Sequence, residues 1–279
     1  MHVRVDLLMP VAGSPYDAVA ADLAVPFVTA FTGAGVALTP RPWDLGPGDA
    51  DATLALFAWG YHFDVARWEA LLDAWPADQP LFNPPALLRW NTRKTYLQEL
   101  ATAGVPIVPS HFGRADDASV AAAFDAFACD ELVVKPQVSA GSHHTVRIRR
   151  GEAVTPLGDA ILQPLLPAIA EEGELSLFAI GGRFSHAARK VATGGDFRIQ
   201  PQFGGRFTRY DPDAEAMAVF DAALAALPHA PLYARIDLLR RADGRLALIE
   251  VEAIEPDLYS DLAPDAPHRL ATALSEALR

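Results

Sequence analysis

The chain has 279 residues, a formal charge of −12 and 51% apolar residues, enough to bury a substantial core without disulfide or metal staples. The acidic balance, with no basic stripe to neutralise phosphates, argues against a nucleic-acid partner, and no uninterrupted apolar run reaches the roughly 18 residues that a membrane helix needs. MHVRVDLLMP has too short an apolar segment for a signal peptide and the single Cys129 cannot form an internal disulfide, so a cytoplasmic protein is expected.

Residues 3–8, 36–39 and 53–57 read as short buried strands, with an apolar-periodic helix from about 16 to 33 between the first two. Asp64 precedes VARWEALLDAW, whose Trp68, Leu71, Leu72 and Trp75 lie at helical spacing. Strands alternating with helices imply a parallel α/β lobe that ends near the proline-rich 83–85. Its strand-end loop Ala58-Trp59-Gly60-Tyr61-His62 is where such sheets place a ligand, although Trp59 reads first as lobe-to-lobe packing.

A further helix is expected over 90–106, with Asn91 as N-cap, Tyr96, Leu97 and Leu100 as its apolar stripe, and Gly104 and Pro106 as its stop. Lys94 then falls in the first turn, where the helix dipole disfavours a cation; it is a surface lysine unless something anionic lies nearby. A helix over about 117–128 leads to the strand LVVKP, and Lys135 at its end opens into the small-residue tip from Ser139 through Gly141 to Ser142. The returning strand makes a hairpin able to lie over a polyanion, with a spacing that matches neither a Walker loop nor a dinucleotide fingerprint. Within that tip His143 and His144 read as a solvated pair pointing apart, not as a zinc site.

ILQPLLP is an apolar strand with a proline-flanked exit, and 174–191 reads as a hairpin turning at Gly181-Gly182 with Lys190 on the exit strand. The glycine-rich stretch that follows carries Arg198 and fits either a phosphate-closing lid or an ordinary surface loop. Helices near 213–227 and 267–278 carry apolar stripes for the core. Between them lies the element on which the chemistry turns, YARIDLLRRADGRLALIEVEAI at 233–254. If Asp243-Gly244 is a two-residue loop, Asp237 faces Glu250 and Arg235 faces Glu252, all four on one face, while Ile236, Leu238, Ile249 and Val251 take the other. Three carboxylates on neighbouring strand positions repel one another, so they are either solvated or paired by Arg235, or they hold a hard divalent cation through oxygen, Mg²⁺ or Mn²⁺.

Taken in order, these segments resemble the ATP-grasp superfamily. The resemblance runs over roughly 83–260 and rests on Lys94, then Lys135 with Ser139, Gly141 and Ser142, then Gln163-Pro164-Leu165-Leu166, then Lys190 and Arg198, and finally Asp237 with Glu250-Val251-Glu252. GELS, GGRFSHAARK, GGDFRIQPQFGG and EVEAIEPDLY are similar to the branch that holds the cyclo-ligase closing O-ureido-D-serine to cycloserine, the ribosomal-protein glutamate ligases and glutathione synthetase. In that pattern Glu252 stands where an Asn is usual, and only Glu171 offers an acidic ribose contact after the hinge.

The resemblance implies an α/β fold of α+β lobes, with a pre-domain at 1–85 and an ATP-grasp domain at 86–279, divided into a lid lobe at about 112–165 and a carboxy-terminal lobe at about 166–279. It implies an ATP- and Mg²⁺-dependent (or Mn²⁺-dependent) carbon-nitrogen ligase acting on a small amino-acid-like substrate, with cyclisation as one route, and without a covalent protein nucleophile. In that assignment Lys94, Lys135 and the residues of the tip and hinge bind nucleotide, Asp237, Glu250 and Glu252 bind metal, and Arg198, Arg235 and Lys190 act on the transferring phosphoryl group. The substrate pocket falls to the amino-terminal loops and to Glu255–Tyr259. A ligase for a peptide acceptor and a non-catalytic nucleotide-binding scaffold are the competing readings; a homodimer is expected by analogy with relatives.

Overall fold

The computed structural model of the chain describes residues 3–192 and 204–279. The amino-terminal lobe contains β1 (Val3–Met9), α1 (Asp17–Gly33), β2 (Val36–Pro42), β3 (Ala52–Leu54), α2 (Val65–Asp73) and β4 (Leu81–Phe82), and its four strands are parallel in the order β2-β1-β3-β4. Strand β3 stops three residues earlier than the apolar run 53–57 suggests. Ala58 N–H bonds back to Ala55 C=O at 2.9 Å, so the buried end of that run is a turn rather than a strand. Helix α2 starts as expected, with the Asp64 carboxylate accepting from Arg67 N–H.

The helix expected to begin at Asn91 is two helices. Pro85 occupies the first turn of α3 (Pro85–Thr92), a position where a missing N–H costs nothing, and the chain turns extended at Arg93 before α4 (Tyr96–Thr102). Asn91 therefore caps nothing and Lys94 lies in the break.

The second sheet holds β5 (His111–Ala115), β6 (Glu131–Pro136), β7 (Val146–Arg149) and β8 (Leu157–Pro164), antiparallel in the order β5-β8-β6-β7. Helix α5 (Asp117–Phe127) starts with a reciprocal Asp116–Ser119 capping box and lays Val120, Ala123 and Phe124 over Leu132, Val134 and Leu162. The third sheet follows α6 (Ala168–Glu171). It takes β9 (Glu174–Ile180), β10 (Arg183–Val191) and β11 (Arg206–Arg209), then α7 (Ala214–Ala225), β12 (Tyr233–Arg240) and β13 (Leu246–Glu252), and the chain ends with α8 (Ala266–Ala277). Its order is β11-β10-β9-β12-β13, all antiparallel, and β9 turns into β10 through Gly181 and Gly182, both at positive φ.

One face of the third sheet packs on α4 and α7, through residues such as Leu177, Ile236, Leu238 and Val251 against Tyr96, Leu97 and Phe220. Phe178, Ile180 and Tyr233 join the amino-terminal core instead, together with Leu270 and Leu274 of α8, so the first and third sheets share apolar packing. Among the described residues no helix is long and apolar enough to cross a membrane.

The β12–β13 hairpin pairs Asp237 with Glu250 and Arg235 with Glu252 by a different route from the simple count. Arg241 N–H bonds Arg245 C=O, leaving the three-residue loop Ala242-Asp243-Gly244, with Gly244 at φ 81°. That loop places Leu238 opposite Leu248, one step out of the expected register; an irregularity between Asp237 and Leu238 absorbs the extra residue and restores the acidic pairs. The displaced residue is Ile249, which leaves the core and lines the cleft described below.

Candidate active site

A cleft of about 770 Å³ lies between the tip of the second sheet and the polar face of β12–β13, with the loops of the amino-terminal lobe at one end. Its floor is the acidic hairpin. Oxygens of Asp237, Glu250 and Glu252 lie within 4.8 Å of one another. The reading in which Arg235 pairs these carboxylates holds in part, since Arg235 forks onto Asp237 with bonds of 2.8–3.0 Å and reaches Glu252 Oε1 at 2.5 Å.

The strand that carries the two glutamates is an edge strand, and side chains complete its hydrogen bonding. Val251 C=O accepts from Asn91 Nδ2 and from the Tyr96 hydroxyl, both at 2.8 Å, while Val251 N–H donates to that hydroxyl at 2.9 Å. Ala253 N–H donates to Asn91 Oδ1 at 2.7 Å, and Ala253 C=O accepts from Asn83 Nδ2 at 2.8 Å. With Val251 fixed, the side chains of Glu250 and Glu252 are held in place on either side of it.

Charge in this region is finely divided. Burial opposes ionisation of Asp237, but Arg235 and Lys190 overcome it and hold the carboxyl at about 2. Glu250 is likewise kept low against burial by Lys94 and Lys135, whereas burial raises Glu252 to about 7 in spite of Arg235. Lys190 is buried between Asp237, at 3.3 Å, and Glu174, with which it forms a second ion pair. Gly173 makes that pair possible: at φ 88°, any Cβ would stand 2.3 Å from Lys190 C=O.

The two lysines singled out in the sequence converge on the same space. Lys94, exposed by only 5%, donates to Ser139 C=O at 2.5 Å and pairs with Glu250 at 3.1 Å, and its N–H bonds Gln137 C=O. The break between α3 and α4 aims it there. Lys135 is buried at the end of β6, and burial lowers its pKa; among the described residues no carboxylate lies within ion-pair distance of its ammonium. Beside it the tip passes through Gly141 and Ser142 at positive φ, and their N–H groups meet no acceptor among the described residues. His143 and His144 do not point apart, because this is a turn and not a strand: their rings are 3.9 Å apart, and His143 lies 5.6 Å from His62.

Gln163, Pro164, Leu165 and Leu166 line the next wall with Val133, Ile169, Leu239 and Ile249, a largely apolar slot, and Gln163 Nε2 is oriented by Ser110 Oγ at 2.8 Å. Glu171 is exposed on α6 and is not among the residues lining the cleft; the short helix turns it outward. Arg198 lies outside the described residues. At the far end Trp59 has a double role, packing on the amino-terminal core and donating from Nε1 to Glu255 C=O at 2.8 Å. It lines the cleft together with Tyr16, His62, Glu255, Asp257 and Tyr259.

Tyr16, Glu174 and Ser176 were not foreseen. Ser176 Oγ donates to Asp237 Oδ1 at 2.5 Å, so the start of β9 supplies both a partner for Lys190 and a fixed orientation for Asp237. The signal was present in ELSLF, where polar residues alternate with apolar ones on a strand buried throughout. Tyr16 carries no local pattern, and only the fold brings it to the cleft.

No protein-family model matches the chain. Over 222 residues, 71% of its length and 74% of the relative's, the chain is 34% identical to the cycloserine biosynthesis protein DcsG of Streptomyces lavendulae. Its structure is similar to that of D-cycloserine synthetase DcsG, with TM-score 0.84, 27% identity and coverage of 99% and 100% of the two chains. It also superposes on the ATP-grasp ligase PsnB, solved with a phosphomimetic variant of its minimal precursor, Mg and ADP, at TM-score 0.69, 16% identity and full coverage of both chains. D-alanine–D-alanine ligase from Bacillus anthracis gives TM-score 0.70 at 15% identity, covering 99% of this chain and 97% of that one. The last two likenesses speak to fold alone.

Proposed function

The chain belongs to the ATP-grasp ligases, ATP-dependent enzymes that form carbon-nitrogen bonds, and from that premise we propose that it activates the carboxylate of a small amino-acid-like substrate and closes it intramolecularly onto an amine. The observation that carries this reading is the convergence of two buried amines, Lys94 and Lys135, with three carboxylates, Asp237, Glu250 and Glu252, on one cleft of about 770 Å³. That volume is typical of a small-molecule site, about 300–1,000 Å³, and a nucleoside triphosphate fills much of it, which favours a small second substrate over a peptide acceptor.

The slot at 163–166 suits an adenine, with the triphosphate running toward Lys135, the N–H groups of Gly141 and Ser142, and Lys94. The oxygen cluster of Asp237, Glu250 and Glu252 fits Mg²⁺ or Mn²⁺, which when bound neutralises charge on the β- and γ-phosphates. In the first step a substrate carboxylate oxygen bonds to the γ-phosphorus as ADP leaves. An amine of the same molecule then attacks the acyl carbon, phosphate leaves, and the nitrogen loses its proton. Lys135 and Lys94 stabilise charge and position the phosphates; Lys190 and Ser176 keep Asp237 ionised and aimed; Arg235 is shared among Asp237, Glu252 and the transferring group. Glu252, in place of the usual Asn, still offers an oxygen.

The three sheets support a pre-domain over 1–85 followed by an ATP-grasp domain over 86–279, and the absence of a membrane-crossing helix among the described residues is compatible with a cytoplasmic enzyme. The test is incubation with ATP, Mg²⁺ and O-ureido-D-serine, following phosphate release and the mass of the product. Cycloserine with one phosphate per turnover is the expected outcome, the carbamoyl group of the attacking ureido nitrogen leaving by hydrolysis as CO₂ and ammonia. Turnover only with a peptide acceptor would move the chain to the peptide-ligase reading, and ATP binding without phosphate release to a scaffold.

A further inference from the structure

The charges lining the cleft do not divide evenly. Glu250 is matched by Lys94, Glu174 by Lys190, and Asp237 and Glu252 by Arg235, while Lys135 faces the phosphate-binding tip. This leaves Glu255 and Asp257, at the end formed by the amino-terminal loops, with no ion pair among the described residues. Glu255 is only 7% exposed, lines the cleft, and is fixed by its own backbone, whose C=O accepts the Trp59 indole N–H at 2.8 Å. Asp257 is turned by a bond from Tyr259 N–H at 2.9 Å. A buried carboxylate without a cation is costly, and burial with the repulsion of Glu252 pushes the Glu255 carboxyl well above its ordinary range. Glu255 is not an extra metal ligand in this geometry, since it is not part of the oxygen cluster of Asp237, Glu250 and Glu252.

We propose that Glu255 is the anchor for a substrate ammonium group that takes no part in bond formation, with Tyr16 lining the same end of the cleft. The proposal rests on the ligase reading and deepens it: the substrate is a primary-amine amino acid, and the nitrogen that closes the bond is a second, uncharged one. Anchoring the ammonium on Glu255 keeps it away from the acyl carbon and fixes which nitrogen attacks.

Calorimetric titration in the presence of Mg²⁺ and a non-hydrolysable ATP analogue tests this independently of turnover. The probes are O-ureido-D-serine and 3-(ureidooxy)propanoate, which lacks only the amine. The wild-type protein is expected to bind the amine-bearing probe about 10- to 100-fold more tightly, the range of a charge-assisted bond. Glu255→Gln should reduce that preference to threefold or less with unchanged affinity for the nucleotide analogue, and Glu255→Asp, which keeps the charge, should restore part of it. An undiminished preference in Glu255→Gln, no preference in the wild type, or failure of both probes to bind overturns the proposal; a preference in the wild type alone needs no folded variant to be read. Loss of Mn²⁺ or nucleotide binding in Glu255→Gln also overturns it, in favour of a metal-site role. Discrimination between the probes in this titration, with no phosphate release when ATP replaces the analogue, would leave the anchor standing and refute the ligase reading.

Discussion

Replacing Lys135 by Met isolates what a buried amine contributes to nucleotide binding. Met keeps most of the hydrocarbon stem that packs at the end of β6 and removes only the charge, which folding disfavours because burial lowers this amine's pKa. No carboxylate among the described residues is paired with it, so the apoprotein loses no ion pair and its Tm should hold or rise. Nucleotide binding should suffer. Truncating one partner of a buried charge pair costs about 2–5 kcal/mol, and the hydrated end of a triphosphate places this case in the lower part of that range. A loss of about 2–3 kcal/mol corresponds to a roughly 30- to 150-fold weaker Kd for ATP. Calorimetric titration with ATP and Mg²⁺, beside thermal melts with and without nucleotide, reads both quantities. An ATP Kd within threefold of the wild type, or a marked fall in the Tm of the apoprotein, would refute the reasoning.

Glu250→Gln should fold normally, because the amide can still accept from Lys94, yet show no measurable phosphate release; activity near the wild-type level would remove Glu250 from the metal site. Asn91→Ala strips one of two bonds from Val251 C=O, which keeps the Tyr96 hydroxyl, and leaves Ala253 N–H unpaired, which should cost about 1–3 kcal/mol in denaturant unfolding with a raised Mg²⁺ requirement; a change below about 0.5 kcal/mol would show that the tether is dispensable. His62 and His186 are kept neutral, burial first, at about 4 against a usual 6.5. The unfolded chain therefore binds more protons in that window, so their contribution is fully present above pH 6.5 and lost toward pH 4, by at most about 3 kcal/mol for each. His186→Phe, which keeps a ring against Phe178, should flatten the fall in stability from pH 6.5 to 4 at a constant offset; an unchanged slope would contradict this account.

Much of the scaffold was legible because it is periodic. The alternation in β12 and β13 placed Asp237, Glu250 and Glu252 on one face, and the register irregularity cancelled the misjudged loop length, so of the four residues assigned to the opposite face Ile249 alone changed sides. The break between α3 and α4 was hidden because Asn91 is a good N-cap in isolation; its amide is used instead to satisfy the backbone of β13, a contact 160 residues away. For the same reason Lys94 looked unfavourable in a helix that does not exist at that point. Glu171 had sequence distance in its favour but the wrong side of a four-residue helix, and Tyr16 reaches the cleft through tertiary packing that no local pattern records.

On the proposed reading, amines from two earlier segments and carboxylates from the last hairpin meet around one triphosphate. A crystal structure with a non-hydrolysable ATP analogue and Mn²⁺ tests it directly. Phosphate oxygens are expected within hydrogen-bond distance of Lys94 and Lys135, with anomalous scattering from Mn²⁺ on Asp237, Glu250 and Glu252. A nucleotide bound elsewhere, or one seated in the cleft with Mn²⁺ away from those three carboxylates, would contradict it.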